Sequence, residues 1–202
     1  MSNTFAPQGF DPSGRMDGAS WTANQRQYLI AYDNTHKLYT GDVCVMLSTG
    51  YIDTLTPGTT PPLGIFVGCS YISASQSRLV FSPQFPGGDT ITNGVVQAFV
   101  VDDPDTQFIV QTGWAAGVPA PATQAMVGMN AQWANGTGSA LSGRSGAYID
   151  LNATPAVTST FAFRILSLVT DPPGSNGTDT ASAYNLVKVM WNNEFYRQLT
   201  GI

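Results

Sequence analysis

Gly94-Val95-Val96-Gln97-Ala98-Phe99-Val100-Val101 and Gln107-Phe108-Ile109-Val110-Gln111 flank the segment Asp102-Asp103-Pro104-Asp105-Thr106. Reading this stretch decides the fold class. Both flanks are strand-length and rich in β-branched and aromatic residues, which suit a pleated, half-buried surface. Between them Pro104 presets a turn and withholds a backbone donor, and the neighbouring aspartates accept hydrogen bonds from the amides that the turn frees. The pattern predicts a β-hairpin.

The same grammar runs outward in both directions. Upstream, strand-like runs occupy 28–32, 42–47, 51–55, 63–72 and 78–81. Downstream they occupy 125–129, 148–151, 160–169 and 184–191. In the run at 160–169, Phe161, Phe163, Ile165 and Ser167 share one face, while Ala162, Arg164, Leu166 and Leu168 share the other. Both faces are largely apolar, which predicts a central strand. Segment 56–62 holds Pro57, Pro61 and Pro62, so it cannot sit in the middle of a sheet. Segments 135–146 and 171–177 read as exposed loops. The small, flexible stretch 114–121 reads as a seam between two sub-blocks, 25–113 and 122–202. No segment shows a helical period, and no short repeat is present.

Composition supports the same class. Charged residues are 10% of the chain, against roughly 25% in an ordinary soluble domain. Glu194 is the only glutamate, Lys37 and Lys188 are the only lysines, and His36 is the only histidine. The straight charged side chains that populate exposed helix faces are therefore missing. Ser, Thr, Asn, Gly and Pro fill the polar positions and favour strands joined by tight turns. The expectation is an all-β chain: an antiparallel β-barrel or sandwich body over 25–202, preceded by an extended N-terminal arm over 1–24.

That arm carries isolated aromatics, Phe5, Phe10 and Trp21, among prolines and glycines that include Pro7. Phe5, Pro7, Phe10 and Trp21 are its candidate anchors, either in pockets of a neighbouring subunit or folded back on the chain's own body. If the arm is separate, deleting residues 1–24 should abolish attachment and leave the body folded.

The inventory of reactive groups is thin. The sequence lacks a nucleophile elbow, a P-loop, a dinucleotide fingerprint and a His-x-x-x-His pair, and no cofactor is implied. Asp102, Asp103 and Asp105 could bind a hard cation through oxygen ligands or supply a carboxylate pair, but turn formation accounts for all three. Cys44 and Cys69 lie in apolar runs and read as core packing. Trp114, Trp133 and Trp191 could stack on sugars, with Trp133-Ala134-Asn135 the nearest such case, though Trp in a β protein more often serves core or interface. The net charge of −5 and the scattered basic residues argue against nucleic-acid binding. The apolar runs are too short to span a membrane as helices. The first residues lack the basic and apolar regions of a secretory leader, so the expected place of synthesis is the cytoplasm.

Several blocks, in order and spacing, resemble a family of tailed-phage virion proteins that decorate the capsid head, the cement proteins. The central block is Leu63-Gly64-Ile65-Phe66-Val67-Gly68-Cys69-Ser70-Tyr71 followed by Phe81-Ser82-Pro83-Gln84-Phe85-Pro86-Gly87-Gly88. The turn within 100–111 is similar to the family's Asp-Pro turn. Phe163-Arg164-Ile165-Leu166-Ser167-Leu168 and Leu186-Val187-Lys188-Val189-Met190-Trp191-Asn192-Asn193 resemble its closing strands. The start, Met1 to Phe10, is also similar, with Gln8 and Asp11 departing from the usual pattern. The ordered succession across most of the chain carries the resemblance. It implies a non-enzymatic virion protein on the outer surface of an icosahedral head, assembled in the host bacterial cytoplasm. Its partners would be the major capsid protein and its own copies, as a homotrimer on three-fold or quasi-three-fold axes. The alternative is a carbohydrate- or receptor-binding virion protein.

Overall fold

The computed structural model describes residues 3–22, 24–54, 56–57, 61–114, 116–152, 155–170 and 181–197. Among them the regular structure is β throughout, apart from two single 3-10 turns, Gln124–Met126 and Phe195–Arg197. In chain order the strands are β1 (Asp11–Arg15), β2 (Arg26–Ile30), β3 (Leu38–Tyr39), β4 (Val43–Met46), β5 (Ile52–Thr54), β6 (Gly64–Ser73) and β7 (Arg78–Ser82). They continue as β8 (Gln84–Phe85), β9 (Val96–Val101), β10 (Thr106–Gly113), β11 (Asn130–Ala134), β12 (Tyr148–Asp150), β13 (Phe163–Leu168) and β14 (Leu186–Trp191). The expected all-β class is what the chain adopts.

The hairpin expected around Asp102–Thr106 does not form. Strand β9 has both edges filled, by β2 and by β6. Strand β10 pairs with β14 on one edge and with β1 and then β12 on the other. The turn therefore hands the chain from one sheet to the next. Run composition and turn chemistry set where strands end, whereas pairing depends on which distant strands compete for each edge.

The first sheet has the order β2-β9-β6-β4-β5, with β7 added to β6 beyond the end of β4. It curls so that the turn after β2 meets β5. There Asn34 Nδ2 donates to Asp53 Oδ1 at 3.1 Å, and His36 Nδ1 lies 2.8 Å from Asp53 Oδ2. Its inner face buries Ile30, Cys44, Phe66, Cys69, Ala98 and Val100, with Leu38 and Phe85 of the short β3–β8 pair. Both thiols are free and buried, and burial pushes Cys69 up to about 12 and Cys44 upward as well.

The second sheet closes on itself. The path β10-β14-β13-β11-β12 returns to β10 through a short parallel pairing at Thr112 and Gly113, giving a five-stranded barrel. Strand β13 lies between β11 and β14, the central position its two apolar faces predicted. Its Phe163 ring is sandwiched between Phe10 at 4.4 Å and Trp191 at 4.6 Å, both stacked. Trp133 and Phe108 meet this stack edge-on. Val43, Ile65 and Val101 of the first sheet pack into the same cluster, so the two layers share a core.

The described residues of the N-terminal segment, 3–22 and 24, depart from the separate arm described above. Asp11–Arg15 is a strand of the second sheet, hydrogen-bonded antiparallel to β10. Phe10 is only 1% exposed and sits in this chain's own core. Gly9 lets it get there: at φ +80°, a Cβ on Gly9 would lie 2.7 Å from the Gly41 carbonyl oxygen. The Phe10 N–H donates to that same oxygen at 3.1 Å.

Three further expectations are corrected. Within 125–129, Gln124–Met126 is a 3-10 turn, and the strand lies just beyond it, at Asn130–Ala134. The loop 135–146 is exposed only in its first part. Gly143, Ser145 and Gly146 are buried, and Thr40 bonds to both Gly143 and Ser145. A Cβ on Gly136 would lie 2.1 Å from the Gly146 carbonyl oxygen, so only glycine fits where this loop doubles back. The division between sheets falls at the Asp102–Asp105 turn and not at 114–121, because β10 belongs wholly to the barrel. The expected loop 171–177 lies outside the described residues, as do 58–60 of the proline-rich segment.

Candidate functional site

Two places collect the residues that the sequence singled out or left over. The first is the Asp102–Asp105 turn. Asp102 is buried and accepts the Tyr28 hydroxyl, with Arg26 Nη1 3.4 Å from the same oxygen, Oδ2. Asp103 Oδ2 accepts Asn24 Nδ2 and an Arg15 Nη1 bond of 2.8 Å, while its Oδ1 accepts the Asp105 N–H at 3.1 Å. Asp105 Oδ1 lies 2.7 Å from Arg197 Nη2. Each carboxylate thus faces an arginine from a different segment. The turn ties β1, β2 and the C-terminal 3-10 turn together, which leaves its oxygens poorly placed for a cation. No group of three or more His, Cys, Asp or Glu among the described residues could hold a metal ion. Asp103→Ala, which removes charge-assisted bonds to Arg15 and Asn24 at once, is expected to cost about 2 kcal/mol in urea-unfolding stability.

The second is the outer face of the first sheet. The register places Leu29, Gln97, Ser70 and Phe81 side by side across β2, β9, β6 and β7. One step along, Ile72 lies opposite Leu79. Val95 sits just before β9, and the Ile91 N–H reaches the Ile72 carbonyl oxygen. Phe81 is 73% exposed, Val95 62% and Leu79 57%, with Leu29, Ile72 and Ile91 also exposed. Directly opposite pairs in a sheet project from the same side, so these side chains share one face, on which the exposed apolar residues Leu29, Ile72, Leu79, Phe81 and Val95 surround the polar Gln97 and Ser70. Arg78, at the end of β7, is the charged residue in its strands nearest Leu79 and Phe81. Strand β7 pairs only with β6 among the described residues, so its other edge adds unpaired backbone to this face.

The sequence marks 63–72 and 94–101 as strands and does not single out this face. A signal was present. Leu79-Val80-Phe81 is apolar at three successive positions, and a sheet covered on one side must expose one of the two alternating sets.

The candidate anchors fare differently. Phe5 is half exposed, leaning edge-on against Tyr148 at 5.2 Å and tilted on Tyr184 at 5.0 Å. Gln111 holds the segment around it, accepting the Ala6 N–H and donating to the Thr4 carbonyl oxygen, each at 2.9 Å. Pro7 and Trp21 are half buried, and Phe10 is in the core. A cleft of about 380 Å³ flanks this segment, lined by Gln8, Asp11, Ile109, Gln111 and Leu186 among others. Trp133 is buried with its Nε1 donating to Asn135 Oδ1 at 3.1 Å, and Trp191 is buried too. Neither ring can stack on a sugar.

Comparison of the chain with protein-family models, with curated proteins and with solved structures returns no significant match.

Proposed function

We propose that this chain is a structural protein of a tailed-phage virion. In this reading it decorates the outer surface of the icosahedral head, seats on major capsid subunits as a homotrimer and stabilises their contacts. The observation that carries the reading is the uncovered apolar face built by Leu29, Ile72, Leu79, Phe81 and Val95. Contiguous apolar patches on soluble chains mark interaction surfaces. Interface centres are depleted in charge, as this face is. A surface poor in long charged side chains also loses less rotamer entropy when it is covered. A net charge of −5 suits the outside of a shell better than a lining against packaged nucleic acid. The carboxylates of the Asp102–Asp105 turn engage arginines, which supports a structural use for them.

The test is co-sedimentation with purified heads, counting copies per particle. A copy number at a multiple of sixty supports symmetric decoration, while a chain left in the supernatant overturns the reading. The double variant Leu79→Asp/Phe81→Asp is expected to weaken attachment at least tenfold. Its unfolding free energy should change by no more than about 1 kcal/mol, because both side chains are more than half exposed. Undiminished occupancy by that variant would remove this face from the interface.

A further inference from the structure

Glu194, the chain's only glutamate, immediately precedes the C-terminal turn Phe195–Arg197, and it is 0% exposed. Its Oε2 accepts the Tyr196 N–H at 2.7 Å, whereas Oε1 is buried with no hydrogen-bond partner. A buried carboxylate oxygen with no donor is costly when it carries charge and far less so when it carries a proton.

The turn beside it is held from several sides. The Phe195 N–H donates to the Pro62 carbonyl oxygen at 2.8 Å, and the Phe195 ring packs on the core of the first sheet. The Tyr196 hydroxyl lies 2.6 Å from that of Tyr28, and Arg26 sits over the Tyr196 ring at 5.3 Å. Arg197 reaches Asp105. The titratable and charged groups around Glu194 are therefore Tyr196 and Arg197 on its own turn and Asp102 of the β9–β10 turn, with Arg26 and Tyr28 of β2 behind Asp102.

We propose that Glu194 makes this turn a proton-operated latch: its neutral carboxyl seats Phe195–Arg197 against β2 and the β9–β10 turn, and ionisation loosens that seat. The arrangement stands on the buried, half-unpartnered carboxyl and on the contacts that converge around it. It does not depend on the decoration reading.

The direction of the pH effect follows. Burial raises the Glu194 carboxyl above the ordinary glutamate range, and the negative charge of Asp102 adds to this, while the Tyr196 N–H and Arg197 oppose it. A carboxyl raised in the fold binds its proton more tightly folded than unfolded. Its stabilising contribution is therefore complete below the ordinary value of about 4.3 and is lost as pH climbs through the raised folded value. Asp42, raised by burial, gives a slope of the same sign. Asp89, lowered chiefly by the Ser73 hydroxyl bond, gives the opposite one. A stability curve alone would mix all three.

A single glutamate permits a direct test on the full chain. Selective 13Cδ labelling of glutamate yields one carboxyl resonance, which reports Glu194 ionisation while amide exchange is read at Phe195, Tyr196 and Arg197. The expected result is a carboxyl midpoint above the ordinary glutamate value, with exchange at these amides, corrected for intrinsic pH dependence, rising at least tenfold across it. Glu194→Gln should abolish that step between pH 4 and 8. An ordinary midpoint, unchanged protection across the midpoint, or a step that persists in Glu194→Gln overturns the latch. If the variant does not fold, the two measurements on the wild-type chain still decide.

Discussion

Phe10→Ala is expected to destabilise the chain by about 4 kcal/mol, read as a fall in the urea-unfolding midpoint. The ring is fully buried, so truncation removes its transfer free energy and leaves a cavity against Phe163 and Phe108. The stacked partner at 4.4 Å adds roughly 1 kcal/mol beyond area alone. Against a total stability of about 5–15 kcal/mol, one side chain ahead of β1 would then carry a large share of the fold. Phe5→Ala is the internal control. Phe5 is half exposed and rests on Tyr148 and Tyr184, so its loss should cost no more than about 1 kcal/mol. The pair separates two pictures of the N-terminal segment. If Phe10→Ala cost less than about 1 kcal/mol, residues 3–10 would not be seated in their own body, and the neighbour-anchoring arm would return. Deleting residues 1–24 cannot make that distinction. It removes β1 from the edge of β10 and Phe10 from the core, so loss of attachment would follow from unfolding alone.

Most strands were legible in the sequence, because each is a local matter of β-branched and aromatic runs bounded by Pro, Gly and Asp; β1, β3 and β8 carry no such run, and β11 begins just beyond the run that was marked. The scarcity of Glu and Lys pointed the same way, and the centrality of β13 was readable from its two apolar faces. Pairing was not legible. The run 94–111 has the composition of a hairpin, yet β9 and β10 each find better edges elsewhere, and no local signal records that competition. The N-terminal segment misled for a related reason: Phe10 has no periodic neighbours, and its burial depends on a glycine crossing, Gly9 over Gly41, set by the tertiary fold. The same holds for Gly136 and Gly146, whose close approach turns a loop of exposed composition into a half-buried one. Asp103 accepts a turn amide, that of Asp105, as local turn chemistry predicts, but the arginine partners of Asp102, Asp103 and Asp105 come from positions 26, 15 and 197, beyond any local window. The apolar outer face escaped notice because a strand with two apolar faces looks like core whether one face or both are covered.

Asn185→Ala is expected to cost about 3 kcal/mol, because this buried amide staples the chain where β10, β14 and the segment leading to the 3-10 turn at Gln124 converge. Its Oδ1 accepts the Ala122 N–H at 2.9 Å and the Thr112 hydroxyl at 3.0 Å, and its Nδ2 donates to the Ala122 carbonyl oxygen at 3.0 Å. Alanine keeps the backbone bond from Thr112 N–H to the Asn185 carbonyl oxygen at 2.9 Å. It strands both polar groups of Ala122, a fully buried residue, and each orphan costs about 1–3 kcal/mol. Asn185→Asp sharpens the argument. The carboxylate retains the acceptor for Ala122 N–H and Thr112 but turns a second oxygen toward the Ala122 carbonyl, where a donor is required. Burial and that carbonyl would raise the new carboxyl's pKa, so its proton is bound more tightly in the fold than in the unfolded chain. The variant should therefore be nearly as stable as the wild type near pH 4, where a protonated oxygen can donate, and should lose stability as pH rises through the folded value. Urea midpoints of wild type, Asn185→Ala and Asn185→Asp at pH 4 and pH 7.5 check this. The alanine deficit should be the same at both, and the aspartate deficit should open only at the higher pH. An aspartate variant equally weak at both would mean that the Ala122 carbonyl is not what the amide serves.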